Sequence, residues 1–140
     1  MRVFVAGATG VMVVRKRQMP VVDGGTGIWS FTEVTDAAAA TVAAVTQGAP
    51  GIYNEVDDEP APVSQWLPYL ASCLGVKPPM RAPAWVGRLL GGEMVVSLMT
   101  QVRGASNEKA KRELGWTPAY PSWRDGFPVW AGTFKTRKAA

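Results

Sequence analysis

The sequence predicts an α/β domain with a small, incomplete sheet and a mostly helical C-terminal part. Short runs rich in β-branched and aromatic residues alternate with longer segments of helical periodicity. Of the 140 residues, 47% are hydrophobic and 19% are charged, a balance typical of an ordered globular chain. Because this length suits one folding unit, we expect a single domain over residues 1–140.

The first predicted strand covers residues 2–6 and leads into a glycine turn, in the run Met1-Arg-Val-Phe-Val-Ala-Gly-Ala-Thr-Gly10. A strand followed by Gly7 and Gly10 is typical of a βα unit that binds a dinucleotide, because the turn aims backbone N–H groups at a pyrophosphate. The candidate cofactor-binding residues are Gly7, Ala8, Thr9, Gly10, Val11 and Met12.

The rest of such a unit does not follow this turn. The third glycine of the fingerprint falls on Val13, and no acidic residue stands on a second strand to hold a ribose hydroxyl. Asp23 is near the required distance, but it belongs to the loop Asp23-Gly24-Gly25-Thr26-Gly27. Residues 15–20, Arg-Lys-Arg-Gln-Met-Pro, leave no room for a crossover helix. We therefore interpret residues 1–19 as a remnant of a dinucleotide-binding unit.

Two more strands and a helix are predicted in the next part of the chain. Residues 28–33, Ile-Trp-Ser-Phe-Thr-Glu, have strand composition, and Thr35 is placed to cap a helix over residues 37–47. Gly48 is predicted to end that helix in a left-handed conformation. Residues 52–56, Ile-Tyr-Asn-Glu-Val, predict the last strand.

Four carboxylates lie within residues 55–59, mostly in the loop Asp57-Asp58-Glu59-Pro60. Their spacing matches no calcium-binding loop, and no glycine permits the turn that such a loop requires. We therefore expect a solvated turn without a bound cation.

Helices are predicted over most of the remaining chain. Periodicity and glycine stops place them at residues 64–74, at 85–90 with an end at Gly91-Gly92, at 95–102 and at 107–114, and Ser122 with Asp125 begins a final helix that Pro128 shortens. The apolar stripes of these helices, such as Trp66 with Leu70 and Trp85 with Leu89, are expected to form the core. Cys73, the single thiol, is expected to pack there.

The composition excludes several kinds of chemistry. The chain has no histidine, so it lacks the usual proton shuttle near neutral pH and the commonest metal ligand, and we expect no metal site. The net charge of +4 arises largely from basic clusters without the interleaved aromatic residues of a nucleic-acid module, so we expect no nucleic-acid partner. No run reaches the ~20 apolar residues of a spanning helix, and we expect a cytoplasmic protein without a membrane partner.

Four landmarks follow one another along the chain. They are residues 5–10 (Val-Ala-Gly-Ala-Thr-Gly), the loop at 23–27 leading to 31–36 (Phe-Thr-Glu-Val-Thr-Asp), residues 51–54 (Gly-Ile-Tyr-Asn) and residues 111–118 (Lys-Arg-Glu-Leu-Gly-Trp-Thr-Pro). This order resembles the extended short-chain dehydrogenase/reductase group, the NAD-dependent epimerase/dehydratase family that includes nucleotide-sugar epimerases. The chain looks like a member of that family with its central region deleted.

The resemblance implies a truncated Rossmann-like fold. Residues 20–134 then correspond to the family's C-terminal, substrate-domain-like part, and residues 135–140 form a basic tail. It also implies NAD or NADP as the cofactor and a nucleotide or nucleotide-sugar as the ligand.

The family's catalysis requires a tyrosine whose phenol is acidified by a lysine four residues later on the same helix face. The residues four places after Tyr53, Tyr69 and Tyr120 are an aspartate, a cysteine and an arginine, so the required pair is absent. Tyr120 with Arg124 comes nearest to it, but this pair follows the last landmark, away from the cofactor. We assign no catalytic residue.

Three interpretations of function remain open. The first is a non-catalytic relative that retains weak dinucleotide or nucleotide-sugar binding. The second is an interaction module whose uncovered apolar faces pair with a second copy or with an intact, full-length relative. The third is an oxidoreductase or epimerase that completes its site in an oligomer.

Overall fold

A computed structural model describes residues 14, 16 and 18–136 of the chain. The predicted strand over residues 2–6 lies outside the described residues. Within them, the strands are β1 (Val21–Val22), β2 (Ile28–Trp29), β3 (Ala61–Pro62) and β4 (Arg81–Ala82), and the helices are α1 (Val34–Gln47), α2 (Val63–Cys73), α3 (Ala84–Thr100), α4 (Glu108–Leu114) and α5 (Trp123–Thr136).

The described strands form two separate pairs. β1 and β4 run parallel, with Val21 opposite Arg81, whereas β2 and β3 run antiparallel, with Ile28 opposite Pro62. Ile28 also forms an isolated bridge with Arg103. The predicted α/β class with a small sheet is confirmed, although the described strands belong to two short sheets and not to one.

The turn between β1 and β2 depends on glycine because its neighbours come very close. Gly25 has a φ of 61°, and a Cβ atom added there would lie 2.6 Å from Val21 Cγ1 and 2.9 Å from Ser64 N. The amide of Gly25 donates to Val22 O at 2.9 Å, and its carbonyl accepts from the Ser64 amide at 3.0 Å. This turn therefore packs the start of α2 directly against β1.

Two strand predictions need correction. The predicted strand over residues 28–33 ends at Trp29, and the predicted strand over residues 52–56 is not formed. A strand needs a hydrogen-bonded neighbour, and no described segment pairs with residues 52–56 in a ladder. Composition alone predicted a strand there because it does not reveal whether a neighbour exists.

Side chains from α4 and its cap provide hydrogen bonds where the ladder is missing. Lys109 Nζ donates to Ile52 O at 3.0 Å, and Asn107 Nδ2 donates to Val56 O at 2.7 Å. The segment is thus held in place through its carbonyl groups by side chains of a helix.

α1 begins three residues earlier than predicted, and its cap is a different residue. The carboxylate of Glu33 accepts from the Thr35 amide at 2.6 Å, so Glu33 and not Thr35 caps the helix. Gly48 follows the helix with a φ of −73° and a ψ of 136°, so the predicted left-handed conformation is wrong. Glycine is required there for space, since a Cβ would lie 2.5 Å from Ala44 O and 3.0 Å from Leu114 Cδ2.

α2 agrees with the prediction to within one residue at each end and lies at the centre of the main core. Trp66, Leu67, Leu70 and Ala71 are buried on this helix and pack with residues of β1, β3, α3 and α5. The apolar stripe of this helix is therefore correctly predicted as core. Cys73, in contrast, was predicted to pack in the core and is only half-buried.

α3 is divided at Gly92, where φ is 75° and ψ is 177°. The predicted division into two helices at this glycine pair is confirmed. The predicted burial of the first half is wrong, since Trp85 is 66% and Leu89 is 78% exposed, whereas Val96 and Met99 of the second half are buried. Among the described helices, none is both long and apolar enough to cross a membrane.

α1 and α4 form a second, smaller core. Ala40 of α1 packs against Ala110 and Leu114 of α4, and Trp116 closes the cluster. Gly115, with a φ of 60°, ends α4 in the left-handed conformation that lets Trp116 turn back onto it. α4 was predicted from residue 107, which is its cap.

α5 starts as predicted but does not end early. Ser122 Oγ accepts from the Arg124 amide at 3.0 Å, while the helix continues past Pro128 to Thr136. Proline lacks the N–H that would donate to the carbonyl of Arg124, four residues earlier. Tyr69 donates its hydroxyl hydrogen to that carbonyl at 3.0 Å, so the tertiary contact satisfies the acceptor that proline leaves.

Phe31, just after β2, lies within a group of aromatic rings from three elements. Its ring centroid is 5.2 Å from that of Trp66, 6.5 Å from that of Trp123 and 5.0 Å from that of Phe127, with edge-to-face or tilted geometry. Such pairs favour one relative orientation of the rings. Phe31 therefore fixes the end of β2 against α2 and α5.

Replacing Tyr69 by phenylalanine is expected to lower the free energy of unfolding by about 1 kcal/mol, because the Arg124 carbonyl loses its donor while the ring stays in place. Chemical denaturation measures this change. Pro128→Ala provides the matched background, since alanine restores a backbone N–H near the same carbonyl, and there Tyr69→Phe should cost clearly less. Equal costs in both backgrounds would show that the hydroxyl does not replace the missing amide.

Candidate functional site

The predicted cofactor-binding residues 7–12 lie outside the described residues. Within the described part, the loop at 23–27 is the glycine-rich segment, and it directs the amides of two of its glycines inward. The Gly27 amide donates to Met99 O at 2.8 Å, as the Gly25 amide donates to β1. The amides of Gly25 and Gly27 are therefore used in packing, whereas a phosphate site needs amides aimed at the ligand.

Tyr53 is brought close to a lysine that the sequence spacing missed. Lys109 Nζ lies 4.7 Å above the centre of the Tyr53 ring, while the Tyr53 hydroxyl donates to Ala49 O at 2.9 Å. The ammonium group therefore faces the ring and not the oxygen, and its hydrogen bond goes to the backbone. This geometry therefore differs from that of a catalytic tyrosine–lysine pair, in which the lysine lies beside the phenol oxygen.

The Tyr69 hydroxyl is engaged with the backbone of α5, and Tyr120 is held through its backbone amide. Burial raises the pKa of Tyr69, which is the opposite of acidification. The amide of Tyr120 donates to Asp36 Oδ2 at 2.9 Å. Arg124, the residue nearest to a lysine substitute, binds Glu59 at 3.0 Å, and its guanidinium stacks 4.0 Å from the Trp123 ring centre.

The acidic loop, residues 57–59, is only in part the solvated turn that the sequence predicted, since Asp58 is exposed and Glu59 is half-buried but Asp57 is buried. Asp57 is only 5% exposed. Its amide donates to Phe31 O at 2.7 Å, and its Oδ1 accepts from the Phe31 amide at 3.3 Å. The loop thus binds the backbone of Phe31, whose ring lies at the centre of the aromatic group.

Asp57 is also electrostatically unusual. Burial raises its pKa to about 6, although the backbone amides of Phe31 and Trp123 oppose the shift in part. The carboxylates of Glu59 and Asp58 raise the pKa further. Asp57 Oδ2 is buried and has no partner with hydrogen-bond geometry among the described residues.

Asp58 connects the acidic loop to α4. Its Oδ1 lies 2.6 Å from Lys111 Nζ and accepts from Asn107 Nδ2 at 2.6 Å. Burial alone would raise the pKa of Asp58, but these hydrogen bonds and the lysine charge hold it below its ordinary value.

Glu59 connects the same loop to α5. Ser122 donates its hydroxyl hydrogen to Glu59 Oε2, and Arg124 Nε donates to Glu59 Oε1 at 3.0 Å. The hydrogen bond from Ser122 and the charge of Arg124 lower the pKa of Glu59. Three consecutive carboxylates therefore contact three different parts of the fold.

A cavity of about 240 Å³ lies beside this loop, and we call it the acidic cavity. It is lined by Asp57, Asp58, Pro60, Ala105, Ser106, Asn107, Glu108 and Lys111. Among the described side chains, no group of three or more histidines, cysteines, aspartates or glutamates could hold a metal ion. The cavity is therefore polar and rich in carboxylates.

Sequence reasoning missed this cluster because its partners are distant along the chain. One signal was available: Asn107 and Lys111 are four residues apart on a predicted helix, which places both on one face. The sequence did not reveal that this face meets the acidic loop.

Comparisons with known proteins find a reductase and several epimerase-like structures that are similar to this chain, although no protein-family model matches it. The 3-diazoavenalumate denitrifying reductase of a Streptomyces species is 45% identical over 120 residues, which are 86% of this chain and 39% of that protein. The human epimerase family protein SDR39U1, solved with NADPH, aligns with a TM-score of 0.71 at 17% identity, over 91% of this chain and 44% of that chain. The UDP-glucose 4-epimerase of Thermotoga maritima, solved with UDP-glucose, gives 0.65 at 22% identity, over 95% and 40%.

The described fold and these comparisons show that the chain resembles the extended short-chain dehydrogenase/reductase group, the NAD-dependent epimerase/dehydratase family, over part of the length of its members. The resemblance inferred from the sequence landmarks is thereby confirmed. The chain spans 39% of the length of the curated relative and less than half of each of the two solved structures.

Replacing Asp57 by asparagine is expected to stabilise the chain at about pH 7.5 and to have little effect at about pH 4. The folded-state pKa of about 6 exceeds the ordinary value of 3.8, so ionisation costs stability as the pH rises between these values. Since solvent screens part of this cost, we expect a gain of about 1 kcal/mol, measured by denaturation across this pH range.

Asp58→Asn is the matched control at the neighbouring position. Because the pKa of Asp58 is lowered by its partners, its ionised form stabilises the fold, and this variant should lose stability at about pH 7.5. Parallel pH profiles for the wild type and Asp57→Asn would contradict the assignment to Asp57.

Proposed function

We propose that this chain is a non-catalytic, partial relative of the NAD(P)-dependent epimerases and reductases that binds a dinucleotide or nucleotide-sugar weakly. Hydride transfer in this family requires a tyrosine whose phenol can exchange a proton. The observation that carries the proposal is the engagement of the tyrosines: the Tyr53 and Tyr69 hydroxyls donate to backbone carbonyls, and no tyrosine has a lysine four residues later.

The size of the described cavities supports weak binding. The acidic cavity and an apolar cavity lined by Gln18, Met19, Pro20, Trp29, Val95, Leu98 and Met99 each have a volume of about 240 Å³. Pockets that enclose drug-sized ligands usually exceed ~300 Å³, and a dinucleotide is larger still. A nucleotide would therefore contact the described residues only in part.

The predicted turn at residues 7–12 supports a phosphate contact, and the nucleotide ligands of the two structural relatives support the ligand class. One turn does not provide the adenine and ribose contacts that neighbouring strands supply. The activity named for the Streptomyces reductase is not transferred to this chain, since the match covers 39% of that protein.

Thermal unfolding with NAD, NADP or UDP-glucose tests this proposal. A dissociation constant of about 1 mM predicts a stabilisation of only about 0.4 kcal/mol at about 1 mM ligand, whereas ligand at 100 times its dissociation constant would add about 2.7 kcal/mol. Gly10→Val should abolish the small shift, because its side chain blocks close approach of a phosphate. Gly126→Ala is the control, since a Cβ there meets no atom within 4 Å.

Two outcomes would contradict the proposal. If none of the three ligands changed the unfolding temperature, the chain would not bind a nucleotide as proposed. Reduction of NAD or NADP by the purified chain, with a sugar nucleotide as the only other substrate, would show that the non-catalytic assignment is wrong.

An interaction module is the second candidate, and one observation favours it. Val34, Val42 and Val45 of α1 are at least 63% exposed, and the single charged residue of this helix, Asp36, is buried. A helix surface with valines and no exposed charge is typical of an interface. Sedimentation that shows a dimer, dissociated by Val42→Lys but not by Gln47→Lys on another side of α1, would favour this function.

The third interpretation is an oxidoreductase or epimerase completed in an oligomer. It requires a dimer or a mixed assembly with an intact relative, and it also requires turnover by that assembly. Turnover that appears only when an intact relative is added, and exceeds that of the relative alone, would support it.

A further inference from the structure

The dipeptide Asp-Gly occurs twice in the chain, at Asp23-Gly24 and at Asp125-Gly126. An aspartate followed by glycine is prone to ring closure, because glycine has no side chain to obstruct attack by its own nitrogen on the aspartate carboxyl group. Both aspartates are exposed. The two sites therefore share their chemistry and their access to solvent, and they differ in the backbone around them.

At the first site, the nitrogen that would attack is not engaged by the described fold. The Asp23 amide donates to Ala82 O at 3.0 Å, at the end of the β1–β4 pair. The Gly25 amide donates to Val22 O at 2.9 Å. The Gly24 amide between them donates to no described group, and Gly24 is exposed. A Cβ atom added at Gly24 would meet no atom closer than 3.9 Å, so the turn is open at this point.

The backbone of Asp23 is also strained. Its φ is 46°, and among the described residues it is the only one other than glycine with a positive φ. A side chain costs free energy in this left-handed region, although aspartate tolerates the region better than most residues. Isomerisation to isoaspartate inserts a methylene group into the main chain at this residue. The further rotatable bond would release the constraint.

At the second site, α5 opposes the same reaction. The amides of Asp125 and Gly126 donate to Ser122 O at 3.0 and 3.3 Å in the first turn of the helix. Ring closure requires the Gly126 nitrogen to lose its hydrogen and to approach the carboxyl group. This movement breaks the hydrogen bond and the helical dihedral angles together. The helix is therefore expected to protect the second site.

We propose that Asp23 is a site of spontaneous isomerisation to isoaspartate in the folded chain and that Asp125 is protected. The Gly24 nitrogen forms a bond to Asp23 Cγ, and the hydroxyl group of the protonated carboxyl leaves as water with the amide hydrogen. Water then adds to the ring carbonyl that came from the main chain, and the bond from that carbon to nitrogen breaks. The main chain now runs through Cβ and Cγ, the α-carboxyl group is free, and the mass is unchanged.

Isoaspartate at this position would disturb the junction between β1 and α2. The Gly25 carbonyl accepts from the Ser64 amide at 3.0 Å, and a Cβ atom at Gly25 would lie 2.6 Å from Val21 Cγ1. The turn thus has no room for a displaced residue, and a methylene group inserted just before Gly25 displaces it. We expect the modified chain to unfold at a lower temperature than the unmodified chain.

The proposal is tested by incubating the folded chain at mildly acidic pH and digesting samples over time. Mass spectrometry with electron-based fragmentation distinguishes isoaspartate from aspartate at each site. We expect isoaspartate to accumulate at Asp23 at least about tenfold faster than at Asp125. The same incubation in concentrated denaturant removes both the turn and the helix, and there the two sites should react at similar rates.

Variants at each site provide matched controls. Asp23→Glu should abolish the product at this position, because the longer side chain would have to close a larger ring, and should leave the rate at Asp125 unchanged. Asp125→Glu should leave the rate at Asp23 unchanged. Asp23→Asn keeps the size of the side chain and should reach the same ring with loss of ammonia, so its isoaspartate product carries a mass increase.

Three results would overturn the proposal. Equal rates at the two sites of the folded chain would show that the backbone around them does not decide the reaction. Faster isomerisation at Asp125 would reverse the assignment. Isoaspartate that forms at Asp23 in denaturant but not in the folded chain would show that the turn itself protects this residue.

Discussion

The contact between the acidic loop and the backbone of Phe31 is the constraint on which much of the described structure depends. Asp57 binds Phe31 through both its amide and its carboxylate, and Phe31 in turn packs among rings of α2 and α5. Asp58 and Glu59 extend the same loop to α4 and α5. A sheet ladder would join these elements with repeated backbone bonds, whereas here three carboxylates do so. The cost is a buried acid whose pKa is raised.

This arrangement explains how a chain that covers less than half of each solved relative still keeps an ordered, family-like core. The main core surrounds α2, and a second core joins α1 to α4, so neither depends on a wide sheet. The same arrangement separates fold from function. Packing of this kind needs no wide sheet, whereas a nucleotide crevice forms at the ends of several adjacent strands, and the strands of the described residues lie only in pairs.

Local signals in the sequence predicted the helices well, and distant contacts explain the errors. α2, α4 and the division of α3 at Gly92 follow from periodicity and glycine, which act within a few residues. The strand over residues 52–56 was wrong because its partner could not be inferred from composition. Pro128 was expected to shorten α5, but a hydroxyl 59 positions earlier, on Tyr69, satisfies the carbonyl concerned. The acidic loop was missed as a cluster for the same reason, since its partners lie on α4 and α5.

Amide hydrogen exchange followed by NMR tests most directly whether side chains of the acidic loop and α4 replace a sheet ladder at this place. The account predicts slow exchange for the amides of Asp57 and Asp58, which donate to Phe31 O and Pro121 O, and fast exchange for those of Ile52 and Asn54. Alternating slow exchange along residues 52–56, the pattern of a strand paired in a ladder, would contradict it.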